Sequence, residues 1–250
     1  MAQRRSKQLP LIVIVLVLLG AWLVRRLMHP APPAYTCGTH CGEERWRIKT
    51  LFDRAAPKID FTPRHTTVAE LTAMRAPSRL EEEERSSAEE HVYAVDAVLL
   101  GWKQETASHG DHDFHLVLAD PNDLTRTMIA EVPSEECEGA CSSLQRDRFV
   151  EVRRVLTARL AEPEAHFRRF SPAWVVRVEG VGFFDIFHQQ IGVADNCMEL
   201  HPVLKIEFVR QLGPETPLPP QHAQDRRALG ALPRRIEPPE NHRCGHLEND

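Results

Sequence analysis

The chain has 250 residues, 42% of them hydrophobic and 27% charged, with a formal net charge of -5. That length holds one large domain or two small ones. The mild acidity excludes a general polyanion binder, which carries a basic field. Nineteen prolines gather near the ends and in the connections, so the composition describes a globular body with loose extremities.

The N-terminal segment carries the sharpest signal. Arg4, Arg5 and Lys7 precede an apolar run from Leu9 to Val24, and Arg25 and Arg26 follow it. The run is slightly short of the roughly 20 residues that span a bilayer. Leu27 and Met28 extend it when the two arginines reach toward the headgroups. Residues 1–28 therefore read as a membrane anchor, with the lipid contact over 9–28. A cleaved signal peptide is the rival, but Ala31-Pro32-Pro33-Ala34 is a poor cleavage site, and Ala34-Tyr35-Thr36 before Cys37 lacks the aliphatic residue of a lipoprotein signal. The basic excess before the span predicts a single-pass protein with a cytoplasmic N-terminus and a periplasmic or extracellular body.

Residues 29–44 are rich in Pro, Gly and small side chains and read as a linker. Residues 45–91 form an irregular extension broken by Pro57, Pro63 and Pro77. Within it Thr67-Val68-Ala69-Glu70-Leu71 opens a short helix capped by Thr66 or Thr67, and Glu81 to Glu90 is a charge run expected to be a solvated loop.

The body, residues 92–210, turns β. Val92 to Trp102 mixes alternation with β-branched and aromatic residues, as a long strand does. A polar turn, Thr106 to Asp111, leads to Phe114-His115-Leu116-Val117-Leu118. Pro121-Asn122-Asp123 is turn chemistry, and Thr127 to Val132 follows, stopped by Pro133. Ser142 to Ala161 changes period: Leu144, Phe149, Val152, Leu156 and Leu160 share a helical face, with Ser142 or Ser143 as cap and Pro163 beyond the end. Trp174 to Gly182 and Val203 to Phe208 are two more strands. Residues 211–250 are polar and proline-rich and read as a disordered tail.

Three strands, a helix and two strands give a mainly β (α+β) class. They match the element order of a small five-stranded OB-like barrel whose helix lies between strands three and four, preceded here by the transmembrane helix.

The strings Asp113-Phe114-His115-Leu116-Val117-Leu118, Thr127 to Pro133, Gly180-Val181-Gly182-Phe183-Phe184-Asp185, and Gly192-Val193-Ala194 through Glu199-Leu200-His201-Pro202-Val203-Leu204 resemble those of an uncharacterised bacterial family of often exported proteins. The resemblance covers roughly Arg45 to Phe208 and implies a shared domain, without an activity. The sequence departs from the family pattern where Gln189-Gln190 follows His188 in place of Gly-Gln. Asp195-Asn196-Cys197 likewise replaces a Pro-Asn-Gly turn.

Three segments bring acids and imidazoles to strand ends. In the first, Asp111, Asp113 and His115 fall on one strand face, with His112 and Phe114 on the other. Glu131 closes the third strand. Asp185, His188, Asn196, Glu199 and His201 surround the last connection. Convergence of these groups would suit a divalent metal or general acid-base work. His115 and His201 are the candidate ligands or proton carriers, Asp113 and Glu131 their anionic partners, and Asp185 a further candidate. The competing explanation is ordinary turn chemistry.

The six cysteines are Cys37, Cys41, Cys137, Cys141, Cys197 and Cys244, with the first four in two Cys-x-x-x-Cys pairs. Disulfides in an oxidising compartment are preferred over a four-thiolate zinc site, whose usual spacing is tighter, and the connectivity is open. Arg168, Arg169 and Arg177 with Phe170 and Trp174 form a basic-aromatic patch, but nucleic acid is not the favoured ligand of an acidic chain. The sequence thus favours a membrane-tethered binding module for an envelope protein or polymer. A metal-assisted hydrolase or phosphodiesterase and a structural envelope protein are the alternatives.

Overall fold

Long alternating runs set the architecture. The computed structural model describes residues 37–38, 41–42, 44–105, 111–188, 190–213, 216, 244 and 246–247. They lie in one unit, Cys37–Asp250. The predicted span 9–28 and most of the tail fall outside the described residues. Among the described residues no helix is long and apolar enough to cross a membrane. In chain order the elements are α1 (Trp46–Lys49), β1 (Asp60–Thr66), α2 (Val68–Thr72), β2 (Arg79–Leu80), β3 (His91–Gln104), β4 (Phe114–Asp120), β5 (Asp123–Val132), α3 (Arg146–Leu160), β6 (Arg168–Phe184), β7 (Met198–Gln211) and β8 (His246–Leu247).

The fold is mainly β. Six strands form a mixed sheet in the order β1-β3-β4-β5-β7-β6, and β6 pairs with β3 as well. β3–β4, β4–β5, β6–β7 and β3–β6 are antiparallel, while β5–β7 and β1–β3 are parallel. β3 serves three neighbours because it is long and shifts register between Leu99 and Gly101. Gly101 is required there: a Cβ would lie 2.5 Å from the Arg168 carbonyl oxygen. β2 and β8 form a separate two-stranded parallel pair.

Alternation sorts each strand into two faces. One face gathers Tyr93, Val95, Ala97 and Leu99 of β3, Leu116 and Leu118 of β4, Met128 and Ala130 of β5, Val176 and Val178 of β6, and Met198 and Leu200 of β7 into the main core. α3 adds Val152, Leu156 and Leu160 to it. The opposite face of β4, β5 and β7 carries the polar groups described below.

Two local readings change. The predicted helix 142–161 starts four residues later, and Leu144 is 92% exposed instead of joining the apolar face. Ser143 instead accepts the Gln145 backbone N–H at 3.2 Å, an ST turn that competes with helix entry. The charge run Glu81–Glu90 is not simply solvated, because Glu89 is fully buried. It pairs with Arg45, whose Nη1 lies 2.6 Å from its Oε1. A strand that the sequence did not announce, β1, joins the sheet beside β3. Its burial is slight and its residues, Asp-Phe-Thr-Pro-Arg-His-Thr, lack an apolar alternation.

The helix predicted after Thr66 is α2. Thr67 accepts the Glu70 N–H at 3.0 Å, and Glu70 accepts the Thr67 N–H at 3.0 Å, a reciprocal cap. Thr67→Ala should cost about 1 kcal/mol of unfolding free energy in denaturant titration, whereas Thr67→Ser should cost little. Equal losses in both would show that the hydroxyl is not the reason.

All six cysteines are paired: Cys37–Cys141, Cys41–Cys137 and Cys197–Cys244. The two Cys-x-x-x-Cys segments therefore bond to each other in nested order, Cys37 to Cys141 outside and Cys41 to Cys137 inside. This ties the chain before α1 to the connection between β5 and α3. Cys197–Cys244 ties the β6–β7 connection to the end of the chain.

Candidate functional site

Strand register builds the site. His115 of β4 lies directly opposite Glu131 of β5. β5 and β7 run parallel with Ile129 opposite Glu199 and Ala130 opposite Leu200, so the next step of that register sets Glu131 beside His201. His115, Glu131 and His201 thus form a row across three adjacent strands, on the face away from the main core.

The distances confirm the row. His115 Nδ1 lies 2.8 Å from Glu131 Oε1, and His201 Nδ1 lies 3.2 Å from Glu131 Oε2. His201 Nε2 is 3.1 Å from Asp113 Oδ2. Asp113 uses its other oxygen to accept the Ser134 N–H at 3.0 Å. The far nitrogen of His115, Nε2, donates to the Ile191 carbonyl at 3.0 Å, pinning the β6–β7 connection onto this face. Both nitrogens of His115 thus have a hydrogen-bond partner.

The two imidazoles differ in one respect. His115 is hydrogen-bonded at both ends. His201 sits at ion-pair distance from two carboxylates, yet neither of its nitrogens has an aligned hydrogen bond. Asp113 Oδ2 and Glu199 Oε2 are also buried without a hydrogen-bond partner.

A lysine completes the cluster. Lys49, at the end of α1, is buried and lies 3.5 Å from Asp185 Oδ2. Burial alone would lower its ammonium, but the carboxylates of Asp185, Glu131, Glu199 and Asp111 outweigh that and hold it above the ordinary lysine range. The other groups respond to the same competition. Burial raises Asp111, and Asp113 and Glu131 add to it, to about 8. Burial likewise pushes Glu199 well above the carboxylate range, with Asp185 and Glu131 reinforcing it. Glu131 is held well below that range: burial opposes, but the hydrogen bond to His115 and the charges of His201 and His115 prevail. His201 is carried to about 10, since the flanking Asp113 and Glu131 overcome its burial.

Of the residues singled out in the sequence, His115, Asp113, Glu131 and His201 converge and Asp185 joins them through Lys49. His188 stands at the edge, 3.8 Å from Asp185. Asn196 does not participate: its Nδ2 donates to the carbonyls of Leu71 and Met74, fixing α2. Lys49 was missed, because a lysine in Arg-Trp-Arg-Ile-Lys reads as solvated until its anionic pocket is known.

Among the described residues, two groups of donors have spacing compatible with a metal ion. One is Glu105, His115 and Glu131, and the other Asp113, Glu131 and His201. Neither of two surface clefts includes these residues. A cleft of about 390 Å³ is lined by Gln104, His112, Ser134, Glu135, Cys137 and Arg153. Another of about 260 Å³ lies by Thr66, Asp96, Asn122 and Arg177. In the basic-aromatic patch, Arg177 is committed to Asp96 at 2.8 Å.

No known family model matches the chain, and no curated protein matches it. Among solved structures, an aspartyl-tRNA synthetase-like chain from Leishmania major Friedlin is similar at 15% identity with a TM-score of 0.31. The match covers 79% of this chain and 27% of that one. The chain thus spans about a quarter of the length of that neighbour.

Proposed function

We propose that this protein is a membrane-tethered, extracytoplasmic binding module built on an OB-type barrel. One observation carries the reading. β3, β4, β5, β7 and β6 each pair with the next and β6 returns to β3, with the α3 helix between β5 and β6, the third and fourth of these five strands in chain order. That closed order of five strands, with β1 added beside β3, supports an OB-type reading. Three disulfides favour an oxidising compartment. In OB barrels the face of the second and third strands and the adjoining loops take the ligand. Here that face, on β4 and β5, holds the buried polar row under the β6–β7 connection. A cleft between Gln104, His112 and Ser134, whose N–H Asp113 accepts, lies beside the β3–β4 connection, and we place the ligand there.

The test is retention on the immobilised full-length chain of a panel of envelope extracts, glycans and single-stranded nucleic acids. An envelope protein or polymer is expected to be retained and to be released in Gln104→Ala/His112→Ala. Retention of no class overturns the reading. A reporter active only outside the cytoplasm, fused after Phe208, should be active. Silence would reverse the compartment.

The convergence of His115, Asp113, Glu131 and His201 favours the second reading, a metal-assisted hydrolase. Burial weighs against it, since Asp113, His115 and His201 are fully buried and a hydrolase must offer its reacting atoms to substrate.

A further inference from the structure

The polar row has two potential cation triads, and the structure distinguishes them. In Glu105–His115–Glu131, both nitrogens of the imidazole are already engaged. In Asp113–Glu131–His201, the imidazole has no aligned hydrogen bond at either nitrogen and Asp113 Oδ2 has none. All three residues are 4% exposed or less. These fully buried atoms lie 3.1 Å and 3.2 Å apart at ion-pair distance without completing their hydrogen-bond shells, and the ladder of adjacent strands holds them there.

We infer that Asp113, Glu131 and His201 form a buried structural site for a divalent transition-metal ion, with Zn²⁺ the fitting class. One imidazole with carboxylates suits zinc, whereas calcium and magnesium prefer all-oxygen shells. Glu199, with an uncommitted Oε2 on the same face of β7, supplies a further carboxyl. His115 is then a positioning residue: it holds Glu131 through Oε1 and leaves Oε2 for the ion. A site closed to solvent is structural, and its ion enters as the chain folds. The six cysteines are bonded in pairs and do not compete for it.

The experiment refolds chelator-stripped full-length chain with graded ZnCl2 or CaCl2 alone, read by the metal retained after desalting and by thermal unfolding. One equivalent of Zn²⁺ should bind and raise Tm, with Ca²⁺ at least about 100-fold weaker. His201→Gln and Asp113→Asn should each lose about 100-fold or more in affinity, and His115→Gln about 10-fold. Failure of the folded wild type to bind one equivalent overturns the inference, as does His201→Gln binding like wild type through surface histidines. Should both ligand variants fail to fold, X-ray absorption of the zinc-loaded wild type decides, and a shell without an imidazole overturns it. The ligand panel above can succeed or fail independently of this result.

Discussion

Arg45→Ala is expected to lower the unfolding free energy by about 3–5 kcal/mol, the cost of removing one partner from a buried ion pair. For a domain of this size that is a Tm lower by about 10 °C. The guanidinium is 1% exposed and every donor has a role. Nη1 reaches Glu89 Oε1 at 2.6 Å and the Phe184 carbonyl at 2.7 Å. Nε donates to the Glu81 carbonyl at 2.8 Å, and Nη2 to the Glu84 carbonyl at 2.9 Å and Glu89 Oε2 at 3.1 Å. Its plane also covers the Phe183 ring, 4.9 Å from the centroid. Alanine would strand Glu89, whose oxygens otherwise accept from Phe184 N and Ser86 N.

Arg45→Lys keeps the charge but not the fork, so it should fall between alanine and wild type. Arg45→Met with Glu89→Leu should recover part of the loss, because two apolar groups leave no buried charge. Urea titration measures all four chains. A loss below about 1 kcal/mol in the alanine variant would show that the pair is not buried in solution.

The network reaches further than one pair. Arg85 bonds Asp53 through Nη2 at 2.5 Å and Nε at 3.2 Å, both side chains fully buried, and donates to the Ile48 carbonyl at 2.9 Å. Arg45, Lys49 and Asp53 lie four residues apart, and each points its charge inward to a different partner. The segment 45–53 is thus held by inward-facing charges beside the buried Trp46, Ile48 and Leu51. This is part of why the sequence reads it as irregular: Arg45, Lys49 and Asp53 are of types that composition assigns to the surface.

The same contrast explains what was legible. The long strands were readable because alternating apolar residues specify both the element and its buried face. The candidates Asp113, His115, Glu131 and His201 were readable as chemistry-bearing types at strand ends. Their alignment was not. Asp120 pairs with Asp123 across the turn, and a regular ladder from there would put His115 opposite Met128. The register shift between Ala119 and Asp120 sets it opposite Glu131 instead. No turn residue announces that shift. It follows from keeping Leu116, Leu118, Met128 and Ala130 on the core face, a tertiary requirement. The parallel β5–β7 contact is equally non-local, yet it alone brings His201 to Glu131.

Raising the pH from 6.5 to 10 should destabilise the metal-free chain, with Tm falling by about 5–10 °C. His201 is faced by Asp113 and Glu131, with Phe183 packed edge-on against its ring and Glu199 on the same face of β7. Its folded pKa of about 10 lies above the ordinary 6.5, so the folded state holds the extra proton in this interval. The stability it contributes is complete below 6.5 and lost as pH rises through 10. Asp111 acts in the same direction at lower pH. Its folded value of about 8 exceeds the ordinary 3.8, so its contribution declines from about 4 to 8. Glu131, held well below the carboxylate range, opposes only on the acid side. Stability should therefore be greatest in mildly acidic solution. Thermal unfolding in the presence of chelator at pH 5.5, 7.5 and 9.5 measures the slope, and Asp111→Asn should flatten it below pH 8. A Tm that climbs from 6.5 to 10 would mean that the folded state releases protons there, and that His201 is not held as a cation between Asp113 and Glu131.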